Sequence, residues 1–193
     1  ISGYFMTTDG ENLVVTDLND PTSVNPLKYG SSEVDPDPIV AVKRMRNEAM
    51  ALNRYTIEVF QNVGGDLFPF QRIDGATIQK GCVGTHACCQ FAESIAFLGS
   101  GRNEAPSVYL ALSGNSQKLA TREIETILAG YTEADLAQAV VESKSDKAHQ
   151  HLMIHLVDQT LVFDAAATAA LGEPVWFTLA SSVTGNATFR GRF

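Results

Sequence analysis

Long apolar runs are missing from this chain. No stretch approaches the roughly 18 consecutive apolar residues of a membrane helix, so no membrane span is expected. Positive charge is scarce: 14 Lys and Arg stand against 22 Asp and Glu, a net charge of −8. Nucleic-acid affinity comes mainly from Lys and Arg neutralising phosphates, so this balance argues against a nucleic-acid binder, sequence-specific or generic. Lys43-Arg44-Met45-Arg46 and Arg190-Gly191-Arg192 are locally basic and read as solvated surface. Cysteine is limited to three, two of them adjacent. An odd count excludes a disulfide framework and favours free thiols. Tryptophan occurs once, which leaves little to line an aromatic sugar-binding pocket. No Gly-x-Ser-x-Gly occurs, so the nucleophile elbow of a hydrolase is absent. The chain opens Ile1-Ser2-Gly3-Tyr4, with no Met and no signal-peptide pattern, and is read as a fragment of a longer protein.

What is present is the composition of a globular domain. There are 193 residues, 45% of them hydrophobic, enough for a sizeable core. Fifteen Gly and seven Pro suit a fold with many turns. The stretch Thr77 to Thr85 stands at its centre, with Gly81 and Gly84 bracketing Cys82-Val83. Glycine permits φ > 0 or the close approach of another backbone, so this spacing reads as a tight structural corner. No Lys-Ser/Thr follows it, which argues against a phosphate loop.

Strand signals recur in sets. Asp9-Gly10 between two apolar runs predicts a hairpin over residues 4–18. Residues 19–38, with four prolines, read as a long loop. Residues 39–60 hold three runs, Ile39-Val42, Ala49-Leu52 and Thr56-Phe60. Glu48 to Leu52 has helical propensity, but the β-branched neighbour needs a partner and favours strand. A third set covers Cys82–Leu112. Two short helices follow. The first, from Thr121 to Leu128, is ended by Gly130. The second opens at Thr132-Glu133-Ala134-Asp135, with Leu136, Ala139 and Val140 on one face. A fourth set runs from Val140 to Asp164. Ala165–Gly172 reads as small and flexible, Pro174–Leu179 as the last strand and Thr184-Gly185-Asn186 as the last turn.

Each set ends in a branched residue followed by an aromatic: Val59-Phe60, Val108-Tyr109 and Val162-Phe163, with Val14-Val15-Thr16 in the first. The spacings are about 44, 49 and 54 residues, the period of propeller blades. One blade cannot bury both faces of its small sheet; stacked blades can. The expected fold is all-β and mainly antiparallel, a single β-propeller-like domain over residues 1–193 with one or two short helices. A β-sandwich is the competing architecture.

Three constellations could carry chemistry. Cys82, His86, Cys88 and Cys89 have ligand character, but adjacent cysteines on a strand point to opposite faces, so buried thiols are expected rather than zinc. His149, His151 and His155 fall on one face of a strand, yet no acidic residue on that strand completes a metal site. They are therefore read as hydrogen-bonded histidines, and no metal or cofactor is assigned. Ile124, Ile127 and Leu128 form an apolar stripe that either packs on the blades or makes a subunit contact.

The wording of the chain adds a resemblance. Thr77-Ile78-Gln79-Lys80-Gly81-Cys82-Val83-Gly84-Thr85, Ala105-Pro106-Ser107-Val108-Tyr109, Tyr131-Thr132, and His151 to Leu156 through Leu161-Val162-Phe163-Asp164-Ala165 occur in this order. Val14-Val15-Thr16-Asp17-Leu18 precedes them and Trp176 follows. Taken together they resemble the packaged-DNA stabilisation protein, or tail hub, family of short-tailed bacteriophages, from about Val14 to Arg190. The resemblance implies a β-propeller and a non-catalytic virion protein of the tail, made in the host cytoplasm before assembly. It implies a ring of six subunits below the portal and its adaptor, retaining packaged DNA and carrying the tail needle. Ile124, Ile127 and Leu128 are then candidates for an assembly surface. Asp35 and Asp37 are candidates for a neighbour contact or a lumen whose carboxylates repel DNA. A propeller that binds carbohydrate or protein is the alternative, and a hydrolase on a propeller scaffold the third reading.

Overall fold

The computed structural model describes residues 1–32 and 34–181. The expected turn at Thr184-Gly185-Asn186 lies outside the described residues. Four antiparallel sheets follow one another along the chain. The first contains β1 (Met6–Thr8), β2 (Asn12–Val15) and β3 (Tyr29–Ser31). Its hairpin is the one expected: Gly10 takes φ +102°, and the Asp9 carboxylate accepts the amides of Glu11 (2.9 Å) and Asn12 (2.7 Å). The long loop after it is not wholly irregular, because Tyr29–Ser31 adds an edge strand to β2.

The second sheet is an up-and-down run of β4 (Ile39–Met45), β5 (Glu48–Asn53), β6 (Ile57–Asn62) and β7 (Phe70–Arg72). Glu48–Asn53 is a strand despite its helical propensity. Burial explains this: Ala49 and Ala51 pack toward the first sheet with Leu13, Val15 and Phe60, while Met50 and Leu52 face the main core. A strand covered on both faces gains more from packing than propensity costs it.

In the third sheet, β10 (Ser94–Ser100) and β11 (Ser107–Leu112) are central, and β12 (Asn115–Lys118) is one edge. The other edge is one interrupted strand, because β8 (Gly81–Cys82) and β9 (Cys88–Phe91) both pair with β10. Every residue of β10 is buried. The fourth sheet orders β13 (Val140–Asp146), β14 (His149–His155), β15 (Thr160–Asp164) and β16 (Val175–Leu179).

Each sheet packs on the next in chain order: β1 against β4, β4 and β5 against β9 and β8, and β9 and β10 against β13. The repeated pairs Val59-Phe60, Val108-Tyr109 and Val162-Phe163 fall on the equivalent strands β6, β11 and β15. They do not end their sets as expected, since β7, β12 and β16 each add a further edge. Four small sheets stacked in series make this a propeller arrangement, not the two facing layers of a sandwich.

Two helices join the third and fourth sheets. Helix α1 (Arg122–Leu128) closes through Ala129 in right-handed conformation, so Gly130 is not the left-handed cap its position suggests. Helix α2 (Glu133–Ala137) has the expected capping box: Thr132 Oγ1 accepts the Asp135 amide, and Asp135 Oδ2 accepts the Thr132 amide. It is short, and Val140 already belongs to β13.

A third helix, α3 (Ala165–Leu171), replaces the flexible segment expected there. Five alanines favour it, Asp164 caps its start by accepting the Ala167 amide at 3.0 Å, and Gly172 at φ +77° ends it. Among the described residues, no helix is long and apolar enough to cross a membrane.

Candidate functional site

The two faces of the fourth sheet differ. Leu152, Ile154, Leu161 and Phe163 point into the main core. The strand register places four rows on the opposite face: His155 beside Thr160, Met153 beside Val162, His151 beside Asp164, and His149 opposite Asp146. Phe177 and Leu179 of β16 extend this face. A cavity of about 570 Å³ opens there, lined by Glu142, His151, Met153, Val162, Phe177 and Leu179 among others.

The three histidines of β14 have different fates. His155 is buried and committed: Nδ1 lies 3.0 Å from Thr160 Oγ1 and Nε2 lies 2.7 Å from Glu142 Oε1. His149 and His151 stack with ring centroids 5.7 Å apart, and both meet the carboxylate of Asp164. The acid that the strand itself lacks therefore comes from the neighbouring strand. Burial pushes the Asp164 carboxyl up, but the Ala167 amide and the two imidazoles more than offset this and hold it below the usual carboxylate range.

Cys82 and Cys88 are buried thiols as expected, whereas Cys89 is only half-buried. His86 is exposed, and the Cys82 thiol lies 3.2 Å from the Gly84 carbonyl and 3.5 Å from that of Ala87. Burial pushes the Cys89 thiol up to about 12. Contact with Cys88, together with burial, raises Cys82 as well. Neither thiol is thereby a ready thiolate.

A second cluster sits at the turn between β5 and β6. The Arg54 guanidinium lies 4.5 Å from the Tyr55 ring centre, and that of Arg102 lies 5.0 Å from it. Arg54 also reaches Glu133 of α2 at 2.7 Å and Ser100 of β10 at 3.3 Å. Asp37 Oδ2 accepts the amides of Tyr55 (2.5 Å) and Thr56 (3.2 Å), and Asp35 pairs with Arg102 at 2.8 Å. Asp37 is thus tied to the β5–β6 turn, and Asp35 to Arg102, whose guanidinium lies over Tyr55 of that turn.

Helix α1 divides its stripe. Ile124 and Leu128 are 6% and 0% exposed and belong to the main core, so of the two readings of the stripe these two residues follow packing on the blades and are covered within this chain. Ile127 is half-buried and lines a shallow groove of about 290 Å³ with Pro174, Trp176 and Thr178. Trp176 is held by a hydrogen bond from Nε1 to the Leu119 carbonyl at 3.1 Å. Apolar side chains are also exposed around the first sheet: Phe5, Leu18, Val24, Leu27 and Tyr29. Scattered exposed apolar residues of this kind are ordinary on a protein surface.

Four small antiparallel sheets packed one on the next in chain order define a β-propeller scaffold. Within that class, the chain belongs to the phage stabilisation family described as Bacteriophage P22 Gp10, beta-propeller, whose family model matches residues 1–193. The chain is similar to the tail hub protein gp10 of Salmonella phage P22, with 32% identity over 185 residues. That match covers 91% of this chain and 38% of the relative, so the chain spans well under half of the relative's length. Among solved structures, an engineered GH43 glycoside hydrolase aligns with 96% of this chain and 39% of its own. Its TM-score of 0.38 and 13% identity are too low to bear on fold or chemistry.

Proposed function

We propose that this chain is a non-catalytic structural part of a bacteriophage tail, acting as a hub below the portal that helps retain packaged DNA. The observation that carries this reading is the family match over residues 1–193. The scaffold agrees with it: the polar residues of the β5–β6 turn are spent on joining sheets, and the apolar residues left over lie on outer surfaces. In this reading the protein is not an enzyme. Its location is the virion tail, after synthesis in the host cytoplasm.

The assembly surface in this proposal is narrower than the sequence stripe. It comprises Ile127 with the Pro174–Trp176 groove, and the apolar periphery of the first sheet. Asp35 and Asp37 brace the loop that carries exposed Val34 toward a neighbouring subunit. The proposed partners are copies of the same protein, in a ring of six, and the portal, adaptor and needle proteins of the tail.

Light scattering behind a sizing column tests the proposal, with the full-length protein alone and mixed with its portal and adaptor. Joining the portal assembly at six copies is the expected result. A protein that stays monomeric and ignores the portal overturns it. A panel of glycoside substrates, expected to show no turnover, tests the non-catalytic part separately.

A further inference from the structure

We propose that His149, His151 and Asp164 form a binding site for one divalent cation of borderline softness, with zinc the best match. This goes beyond the structural-tail reading and does not rest on it. Each residue offers one ligand atom, and the three atoms lie within 4.8 Å of one another. Asp164 Oδ2 is 2.6 Å from His149 Nδ1 and 3.4 Å from His151 Nε2. Zinc with bonds of about 2.0–2.1 Å holds its ligand atoms about 3.3 Å apart at tetrahedral angles. The His151–Asp164 pair already stands at that separation. The His149–Asp164 pair needs to open by less than about 1 Å, which the half-exposed His149 side chain allows.

The surroundings support a built site. The other oxygen of Asp164, Oδ1, accepts the Ala167 amide at 3.0 Å, so the start of α3 fixes the carboxylate and aims Oδ2 at the imidazoles. Such outer hydrogen bonds orient metal ligands. The Asp164 side chain is 7% exposed, which makes it a firm anchor. His151 is held edge-on against Phe177, with centroids 5.8 Å apart at 88°. Two imidazoles and one carboxylate suit zinc and its neighbours better than calcium or magnesium, which prefer oxygen ligands. Asp146, opposite His149 in the register and exposed, is the next acid along this face but is not one of the three clustered ligands, so water would complete the shell. Lys144, opposite His151 and also exposed, is the nearby charge that opposes a cation.

Both histidines bind as neutral rings. His149 uses Nδ1 and keeps its proton on Nε2; a doubly protonated ring releases one proton to solvent. A cation here ties the ends of β14 and β15 to α3, so its role is to stiffen the free face of the fourth sheet.

The test is calorimetric titration of chelator-stripped protein with zinc chloride at neutral pH. Wild type, His149→Ala, His151→Ala and His86→Ala are compared, each first shown to be folded by its melting curve. One zinc ion per chain is expected for wild type and His86→Ala, with at least tenfold weaker binding in both other variants. Zinc at a hundredfold excess over Kd should raise the wild-type melting temperature by about 5–10 °C. Absence of zinc binding by wild type overturns the proposal. So does affinity unchanged in both His149→Ala and His151→Ala, which would place the ion elsewhere, for instance on the thiols.

Discussion

A β-carbon placed on Gly81 would stand 2.3 Å from the carbonyl oxygen of Asn53. The third sheet passes that closely over the turn that ends β5. Gly84 does the same against α2, where a β-carbon would meet the Ala137 carbonyl at 2.2 Å. Neither glycine has the positive φ of a turn glycine. They are there so that three elements can meet backbone to backbone, and the facing groups are main-chain atoms that cannot rotate away.

Gly81→Ala should therefore destabilise the domain by about 3 kcal/mol, because the clash forces the second and third sheets apart. Gly84→Ala should cost a similar amount through α2. Urea unfolding measures both.

Ile124→Asp and Ile127→Asp should separate packing from assembly. Ile124 is in the core, so a carboxylate there should cost more than about 3 kcal/mol and lower the melting temperature sharply. Ile127 is only half-buried, so its variant should stay folded and lose association with neighbouring subunits. Melting curves and sizing of the full-length variants read the two effects apart.

Acid should weaken the tie between α1 and the third sheet. Glu125 Oε1 accepts from Lys118 Nζ at 2.6 Å and Ser107 Oγ at 2.9 Å, and these bonds hold its carboxyl below the usual range. Lys118 is correspondingly pushed up by the same bond. A lowered carboxyl contributes stability that is present above its unfolded pKa of about 4.3 and is lost as pH falls through the folded value. The pair is partly exposed, so Glu125→Gln should cost about 0.5–1 kcal/mol at neutral pH. That difference from wild type should shrink toward zero as pH falls well below about 4.

The three cysteines should be slow toward a disulfide reagent in the folded protein. Cys82 and Cys88 are buried; contact with Cys82 lowers the Cys88 thiol, so burial alone keeps it slow, while the half-buried Cys89 is slowed by a thiol pushed up to about 12. All three should titrate rapidly once the chain is unfolded in denaturant. Fast reaction of one thiol without denaturant would contradict this burial.

Much of the architecture is written in short-range chemistry. Asp9-Gly10 can hardly be anything but a hairpin turn, and branched-aromatic pairs at blade-length spacing imply repeated small sheets. Thr132 with Asp135 announces a helix start. The flexible reading of Ala165–Gly172 misses helix α3, although its alanines, Asp164 and Gly172 carry helix-forming, capping and stop signals together. The close approach at Gly81 and Gly84 was also readable as a need for glycine, though not against what.

Only tertiary structure decided which faces are covered and which side chains meet. The apolar stripe of α1 looks uniform in sequence, yet the blades bury Ile124 and Leu128 and leave Ile127 at a groove. Asp35 and Asp37 look like loose loop charges until the loop crosses Tyr55 and Thr56. His149 and His151 lack an acid on their own strand, and Asp164 reaches them through the pairing of β14 with β15. The reason is physical. Turns, caps and strand periodicity depend on neighbours a few residues away. Register, stacking and burial depend on contacts between strands and sheets far apart in sequence, and these are set by the packing of the whole chain.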